Sequence, residues 1–272
     1  MPELPEVETV KEALRNCVLG KVINSVDVYY EKILENISKD DFCKVLKGQK
    51  IIDIDRYGKY LIFKLSKGFI VSHLRMEGKY HYDMRQHDKH THIVFNFEDE
   101  TNLAYHDVRK FGKMNYFDLN TDIYNVKPLS KLGLEPFLMK DGTKLYEKLK
   151  KCKKPIKQVL LDQEIIAGIG NIYADEICFY SKISPFRLAC DLSKYECDLI
   201  VENAKKVLTF AIKLGGSTVK SYQSAHGIDG KFQNELAVYS KQGQTCKVCG
   251  SIIVKTKIAQ RGTHYCPKCQ EK

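Results

Sequence analysis

Four cysteines near the C-terminus constrain the fold of this 272-residue chain more than any other feature. Cys246 and Cys249 form one CxxC pair, and Cys266 and Cys269 form a second pair after sixteen intervening residues. Two CxxC pairs at this separation can place four thiolates around one tetrahedral Zn²⁺. Because four protein ligands leave no open position, we expect one structural zinc ion. Two redox-active CxxC pairs are the alternative interpretation.

The segment between the two cysteine pairs predicts a small, basic β-hairpin. It carries Lys255, Lys257 and Arg261, which are suited to gripping phosphates. His264 stands beside the second pair, and we expect it to be a surface or packing histidine. A hairpin of this size is too small to fold alone, so zinc would stabilise it. Residues 241–272 are therefore predicted to form a zinc finger.

The hydrophobic pattern changes once along the chain and predicts two domains of α+β type. Apolar residues at helical spacing from Leu4 to Cys17 predict a leading helix, and seven short strand-like runs follow. After Lys127-Pro128 the spacing becomes helical. We therefore predict an N-terminal β-sandwich with a leading α-helix, followed by a helical domain and the zinc finger. The predicted parts are 1–125 for the sandwich, 126–150 for a linker, 151–240 for the helical domain and 241–272 for the finger.

The net charge of +10 is concentrated in two short stretches. Residues 140–160 hold eight basic and two acidic residues, and residues 241–272 hold seven basic residues and one acidic residue. Such clusters indicate a polyanionic partner, although two solvated lysine-rich faces would give the same pattern. No run approaches the roughly 20 apolar residues of a membrane helix. We also expect no secretory signal, and reduced thiols at the six remaining cysteines.

The chain opens on MPELPEVET, which is unusual for the start of an ordinary helix. Because proline is small, we expect an aminopeptidase to remove Met1 and expose a secondary amine on Pro2. Such an amine can attack an electrophilic carbon, and Glu3 and Glu6 lie within one turn of it, where they can move protons. The helix N-terminal field would favour the neutral amine. Judged from these residues alone, an acidic helix N-terminus is the commoner interpretation.

Several motifs, in this order along the chain, resemble the formamidopyrimidine-DNA glycosylase family. The opening PELPEVET resembles the start of these enzymes. The further motifs are RYGKY at 56–60, HLRM at 73–76, KHTH at 89–92, DVRKFG at 107–112, GIGNIY at 168–173, and QRG at 260–262 beside the cysteine pairs. Chance does not account for so many separate motifs in the family order.

The resemblance implies a bifunctional base-excision repair enzyme that is both a DNA glycosylase and an AP lyase for oxidised purines. In the family the N-terminal proline, here Pro2, attacks C1′ of the damaged nucleotide and forms an iminium. The strand then breaks by β- and δ-elimination. By resemblance Glu3 donates a proton to the sugar, Lys59 serves β-elimination and Arg261 serves δ-elimination. Glu6 matches a second family carboxylate, and the two cations are also expected to clamp phosphates.

The resemblance also implies a set of DNA contacts around an extruded base. Met76, Arg109 and Phe111 match the residues that fill the void and wedge the duplex. Taken singly, they are equally compatible with a core methionine, a surface arginine and a core phenylalanine. The other implied contacts are His73, His90, Lys153, Lys157 and Asn171, the last at a helix start suited to phosphate. Separately from the resemblance, Gly227 and Gly230 in the loop at 221–234 are compatible with a loop that closes over the base and equally with a disordered surface loop.

The family further implies the roles of the predicted parts and the setting of the protein. The sandwich would be the catalytic domain, and 151–240 a helix–two-turn–helix DNA-binding domain. The expected partner is damaged double-stranded DNA, and no membrane. We expect a monomer in the bacterial cytoplasm, associated with the nucleoid.

Two alternative functions are compatible with parts of the sequence. The endonuclease VIII branch of the same superfamily prefers oxidised pyrimidines. Leu4 and the RKFG block favour the purine branch, as does the set of Met76, Arg109 and Phe111. A zinc-finger DNA-binding protein without catalysis would explain the charge and the cysteines. It would leave the opening motif and Lys59 unexplained.

Overall fold

The N-terminal unit begins with helix α1 (Leu4–Val18), as the spacing of apolar residues predicts. Pro5 lies in the first turn, where its missing N–H leaves no bond unmade, and Glu3 and Glu6 form a capping box there. One face of the helix is buried and carries Val7, Val10, Leu14 and Val18. Burying each such side chain stabilises the fold by about 1.5–3 kcal/mol.

Eight strands and a second α-helix follow in the N-terminal unit. The strands are β1 (Ile23–Val28), β2 (Ile51–Tyr57), β3 (Tyr60–Leu65), β4 (Gly68–His73), β5 (Lys79–Tyr82), β6 (Thr91–Phe97), β7 (Asn102–His106) and β8 (Lys113–Asp118), and the helix is α2 (Lys39–Leu46). They form two antiparallel sheets, with strand orders β1-β6-β7-β5 and β2-β3-β4-β8.

The two sheets and α1 share one apolar core. Leu14 of α1, Phe63 of β3, Phe95 of β6 and Tyr105 of β7 all belong to it. Two antiparallel sheets that enclose one apolar core are the arrangement of a β-sandwich. The predicted β-sandwich with a leading helix is therefore confirmed.

The structure is a computed structural model that describes residues 1–217 and 231–271. These residues divide into the N-terminal unit, which comprises Met1–Leu129 and Ser217, and a C-terminal unit of Ser130–Gly216 and residues 231–271. The predicted linker, helical domain and zinc finger thus lie mostly in the C-terminal unit. The boundaries between them stay predictions. Of the loop predicted at 221–234, residues 221–230 lie outside the described residues.

Helices dominate the C-terminal unit. They are α3 (Thr143–Leu149), α4 (Ile156–Leu160), α5 (Asn171–Tyr180) and α6 (Lys194–Lys213). Helix α3 lies within the segment predicted as a linker and packs against α6. Helix α6 starts at a capping box of Ser193 and Glu196, and Gly215 and Gly216 follow its end with φ values of 74° and 77°.

A two-stranded hairpin completes the C-terminal unit. Strands β9 (Val254–Ile258) and β10 (Arg261–Tyr265) pair antiparallel, with Ile258 opposite Arg261. The two turn residues, Ala259 and Gln260, have φ values of 45° and 64°. Left-handed conformations at both positions match the twist of a tight hairpin. The predicted α+β fold, with helices followed by a β-hairpin, is confirmed.

Within 1–217 and 231–271, none of the helices has both the length and the apolar run that crossing a bilayer requires.

Candidate functional site

The start of the chain carries two buried carboxylates whose positions are fixed by the backbone. Pro2 is buried, and Glu3 and Glu6 are 3% and 8% exposed. The Glu3 N–H donates to one oxygen of Glu6 at 2.9 Å, and the Ser217 N–H donates to the other at 2.8 Å. Glu6 therefore holds the backbone next to Pro2 in place, which is a positioning role that its spacing alone did not reveal.

Lys59 is the cation of this cluster. It lies in the turn between β2 and β3, after Gly58 with φ 59°, and is 4% exposed. Burial lowers the pKa of the Met1 amine from its usual 8.0, Glu3 and Glu6 oppose that shift, and the charge of Lys59 adds to it. The structure thus brings the chain start, both carboxylates and Lys59 into one electrostatic cluster, in which burial is the main cause that favours the neutral Met1 amine.

The loop after β7 presents Arg109 and Phe111 to solvent. The Asp107 carboxylate is fully buried and accepts backbone N–H groups from Arg109, Phe111 and Gly112 at 3.0, 2.9 and 2.8 Å. The Arg109 guanidinium lies 4.6 Å from the centre of the Phe111 ring, which is 48% exposed. Phe111 is therefore not a core residue. The position of Asp107 two residues before Arg109 is typical of an Asx turn, so its bond to the Arg109 N–H could have been predicted from the sequence.

Gly112 is required by the close approach of Tyr105. A Cβ on Gly112 would lie 1.6 Å from the Tyr105 hydroxyl oxygen and 2.7 Å from Cζ, and Tyr105 is fully buried. We expect Gly112→Ala to lower the free energy of unfolding by about 1–3 kcal/mol, because the tyrosine or the loop must move. Chemical denaturation measures this. Gly262→Ala is the control, since its Cβ would make an ordinary 3.7 Å contact; equal stability of both variants would contradict the prediction.

The other predicted contacts in the N-terminal unit are Met76, His73 and His90. Met76 is half-buried, in the turn after β4. His90 lies before β6, where its N–H donates to Asp88 at 2.9 Å and its ring lies 5.6 Å from that of His106. The His73 Nδ1 accepts the Arg75 N–H at 2.9 Å, so the neutral ring carries its proton on Nε2. That N–H is suited to a phosphate oxygen.

His73 should make stability depend on pH. Burial, with the charges of Arg75 and Lys59, lowers its pKa from 6.5 to about 3. Below pH 6.5 the His73 ring is therefore protonated in the unfolded chain but stays neutral in the folded one. The free energy of unfolding thus falls as the pH drops from 6.5 towards 3. Between pH 7 and pH 5 we expect this to cost about 2 kcal/mol.

Urea denaturation of the protein and of His73→Gln at both pH values tests this expectation. The loss of stability on going to pH 5 should be smaller in His73→Gln by about that amount. His87→Gln, at an exposed histidine, is the control. The same pH dependence in all three proteins would refute the assignment to His73.

In the C-terminal unit, the Asn171 side chain contacts the residue directly after Arg261. Asn171 begins α5 after Gly168, whose φ is 94°, and its Nδ2 donates to the Gly262 carbonyl at 3.1 Å. Its Oδ1 is buried and has no hydrogen-bond partner among the described residues. Arg261 is exposed at the start of β10, and Lys153 is exposed before α4.

Lys157 differs from the other predicted contacts because it is fully buried. Its Nζ lies 2.7 Å from Asp175 Oδ1, 2.6 Å from the Gly262 oxygen and 2.9 Å from Thr263 Oγ1. These three contacts are with other parts of the protein, and a direct contact of Lys157 with DNA stays a prediction. His264 is also buried, not on the surface, and it too contacts Asp175.

The four cysteines form a site for one structural zinc ion. Their Sγ atoms all lie within 4.8 Å of one another, with 3.8 Å between Cys246 and Cys269 and 3.4 Å between Cys249 and Cys266. A tetrahedral Zn–S₄ centre with bonds of about 2.3 Å places its sulfurs about 3.8 Å apart, so the residues fit the ion. The prediction of one structural zinc is confirmed.

Comparison with known proteins covers nearly the whole chain. Residues 1–114 match the formamidopyrimidine-DNA glycosylase N-terminal domain, 132–223 its H2TH domain, and 243–272 a zinc finger found in FPG and IleRS. Among curated proteins, formamidopyrimidine-DNA glycosylase of Exiguobacterium sp. is 46% identical over 276 residues and 100% of both chains. That of Bacillus cereus (strain ATCC 14579) is 47% identical over 274 residues and 99% of both.

Solved structures agree with these matches. A Lactococcus lactis FPG mutant in complex with Fapy-dG-containing DNA is 40% identical, with a TM-score of 0.91 and 100% of both chains covered. MutM in complex with carbocyclic 8-oxo-G-containing DNA is 41% identical, with a TM-score of 0.90 and 100% coverage of both chains. Fold and zinc site together define a zinc-finger protein of the DNA glycosylase class. Within that class, the chain belongs to the formamidopyrimidine-DNA glycosylase family, as its motifs predict.

Proposed function

We propose that this protein excises oxidised purines, such as 8-oxoguanine and formamidopyrimidines, from double-stranded DNA and then cleaves the strand as an AP lyase. The observation that carries the proposal is the buried cluster at the chain start, where Glu6 fixes the Glu3 backbone and the charges of Glu3, Glu6 and Lys59 all act on the Met1 amine next to Pro2. A non-catalytic DNA-binding protein has no use for such a cluster. Buried, mutually interacting titratable groups are typical of active sites.

The proposed reaction begins after Met1 has been removed. The neutral Pro2 nitrogen attacks C1′, a C–N bond forms, and the bond from C1′ to the base breaks with its electron pair leaving on the base. Glu3 gives a proton to the sugar ring oxygen as the ring opens, and loss of the amine proton leaves a C1′ iminium. The nucleophile is a chain-end amine, so no side chain is needed for attack.

The iminium then drives two eliminations. Its positive charge acidifies the C2′ proton; when that proton leaves, the C3′–O bond breaks and the phosphate departs, which is β-elimination. Loss of a further sugar proton breaks the C5′–O bond, which is δ-elimination and leaves a one-nucleotide gap flanked by phosphates. We assign the first step to Lys59 and the second to Arg261, whose permanent charges can stabilise the departing phosphates.

The DNA contacts are proposed on the same basis. Met76, Arg109 and Phe111 fill the space of the extruded nucleotide, and their half-buried or exposed positions allow it. Phosphates are contacted by His73, His90, Lys153 and Asn171. Complexes of relatives with Fapy-dG-containing and abasic-site-containing DNA support damaged DNA as the partner. We place the protein as a monomer in the bacterial cytoplasm, on the nucleoid.

Borohydride trapping on a duplex with 8-oxoguanine opposite cytosine tests the function, after intact mass has shown loss of Met1. We expect a covalent protein–DNA adduct and, without borohydride, a gapped strand. The undamaged duplex is the control. Trapping that is stronger on an oxidised pyrimidine would support the endonuclease VIII alternative, and binding without any adduct would support the non-catalytic one.

A further inference from the structure

Three consecutive residues after Arg261 are held by side chains from α4 and α5. The Gly262 carbonyl accepts from Lys157 Nζ at 2.6 Å and from Asn171 Nδ2 at 3.1 Å. The Thr263 hydroxyl lies 2.9 Å from the same ammonium. Asp175 Oδ2 accepts the His264 N–H at 2.8 Å and lies 3.2 Å from the ring Nδ1. The start of β10 is therefore fixed by hydrogen bonds to two helices.

An ion pair links these contacts and is fully buried. Lys157 Nζ and Asp175 Oδ1 are 2.7 Å apart, and both side chains are 0% exposed. Burying two charges costs several kcal/mol each, and a well-packed apolar pair is often as stable. Stability alone therefore does not explain the ion pair. Its contacts explain it, because the Lys157 ammonium binds the Gly262 carbonyl and the Asp175 carboxylate binds the His264 N–H.

The Arg261 backbone belongs to the same network, because its carbonyl accepts from the Thr263 hydroxyl at 3.1 Å. Its side chain is exposed, and it follows the turn at Ala259 and Gln260, where two non-glycine residues have positive φ. Residues in that conformation persist only when neighbouring structure imposes it. The contacts of residues 262–264 are on the C-terminal side of the turn, directly after Arg261.

We propose that Asp175 is a positioning residue for Arg261, acting through His264 and the Lys157 ion pair to place the guanidinium for δ-elimination. This rests on the proposed function, in which Arg261 serves the second elimination. A displacement of about 1 Å can cost about 100-fold in rate, so loss of the carboxylate should slow this step selectively. Base release and iminium formation, which need Pro2 and Glu3, should persist.

The experiment uses the full-length, zinc-loaded protein on a 5′-labelled duplex with a preformed abasic site, under single-turnover conditions. The β-elimination product ends in an unsaturated aldehyde and the δ-elimination product in a 3′-phosphate, so a gel separates them. We expect Asp175→Asn to lower the ratio of δ to β product about tenfold or more, with borohydride trapping within about twofold of the unmodified protein. Asp198→Asn, at an ion-paired acid on α6, is the matched control.

The outcomes separate this inference from the proposed function. An unchanged product ratio in Asp175→Asn overturns the inference. If Asp175→Asn loses zinc or all trapping, His264→Phe decides, because it keeps the ion pair and removes only the ring contact; an unchanged ratio there overturns the inference as well. Absence of trapping by the unmodified protein, or an unchanged ratio in Arg261→Ala, contradicts the proposed function instead.

Discussion

Pro2→Leu should reduce borohydride trapping on 8-oxoguanine DNA by about a thousandfold or more, because a correctly placed nucleophile contributes at least that much. Leucine at position 2 is too large for the aminopeptidase, so Met1 stays. The terminal amine is then primary and lies one residue, about 3.8 Å, farther along the chain. Glu3 and Lys59 would still be present, but the nitrogen that attacks C1′ would not.

Pro2→Ala separates the position of the amine from the loss of the ring. Alanine is small enough for Met1 to be removed, so this variant presents an amine at position 2, as a primary amine. We expect Pro2→Ala to give less trapped adduct than the unmodified protein and far more than Pro2→Leu. Intact mass reports the processing of each variant. Full trapping by a Pro2→Leu protein that retains Met1 would exclude Pro2 as the nucleophile.

Cys249→Ser should remove zinc and weaken binding to damaged DNA by about 100-fold or more, since the proposed phosphate contacts of the hairpin depend on the folded finger. Structural zinc contributes about 10–16 kcal/mol in small zinc-dependent folds, far more than a short hairpin can replace. The ion holds Cys246 and Cys249 against Cys266 and Cys269, and β9 and β10 lie between these pairs.

Metal analysis and fluorescence anisotropy with an abasic-site duplex measure these two effects. Cys190→Ser is the control, because Cys190 is a half-buried thiol outside the four-cysteine group. It should keep one zinc ion and its affinity. A zinc-free Cys249→Ser protein that binds DNA normally would show that the finger contributes nothing to the interface.

Features set by local spacing could be predicted from the sequence. Helix α1 follows from apolar residues every three or four positions, and the zinc site from two CxxC pairs. Lys157 shows where such reasoning ends. Lys157 lies in a basic stretch that predicts contacts with phosphates. In the fold it forms an ion pair with Asp175, eighteen positions later, and both side chains are buried. Charge patterning does not show which lysine finds an internal partner.

Asp107 and Tyr105 illustrate the same limit for the loop of Arg109 and Phe111. The motif DVRKFG marked the loop, but the three N–H groups bound by one carboxylate appear only in its folded geometry. Likewise, nothing in the sequence connects Gly112 to the Tyr105 hydroxyl. Roles that depend on burial and on the folded path of the loop could therefore be assigned only from the structure.

The bond between Glu6 and Ser217 sets an order of events during synthesis. Its two partners are 211 positions apart, so one oxygen of Glu6 stays without this partner until residue 217 has been made. At about 5–20 residues per second, that takes roughly ten to forty seconds of translation. During that interval the chain start lacks one of the two backbone contacts of Glu6 in the finished fold. We therefore expect removal of Met1, if it occurs during synthesis, to precede the formation of this contact.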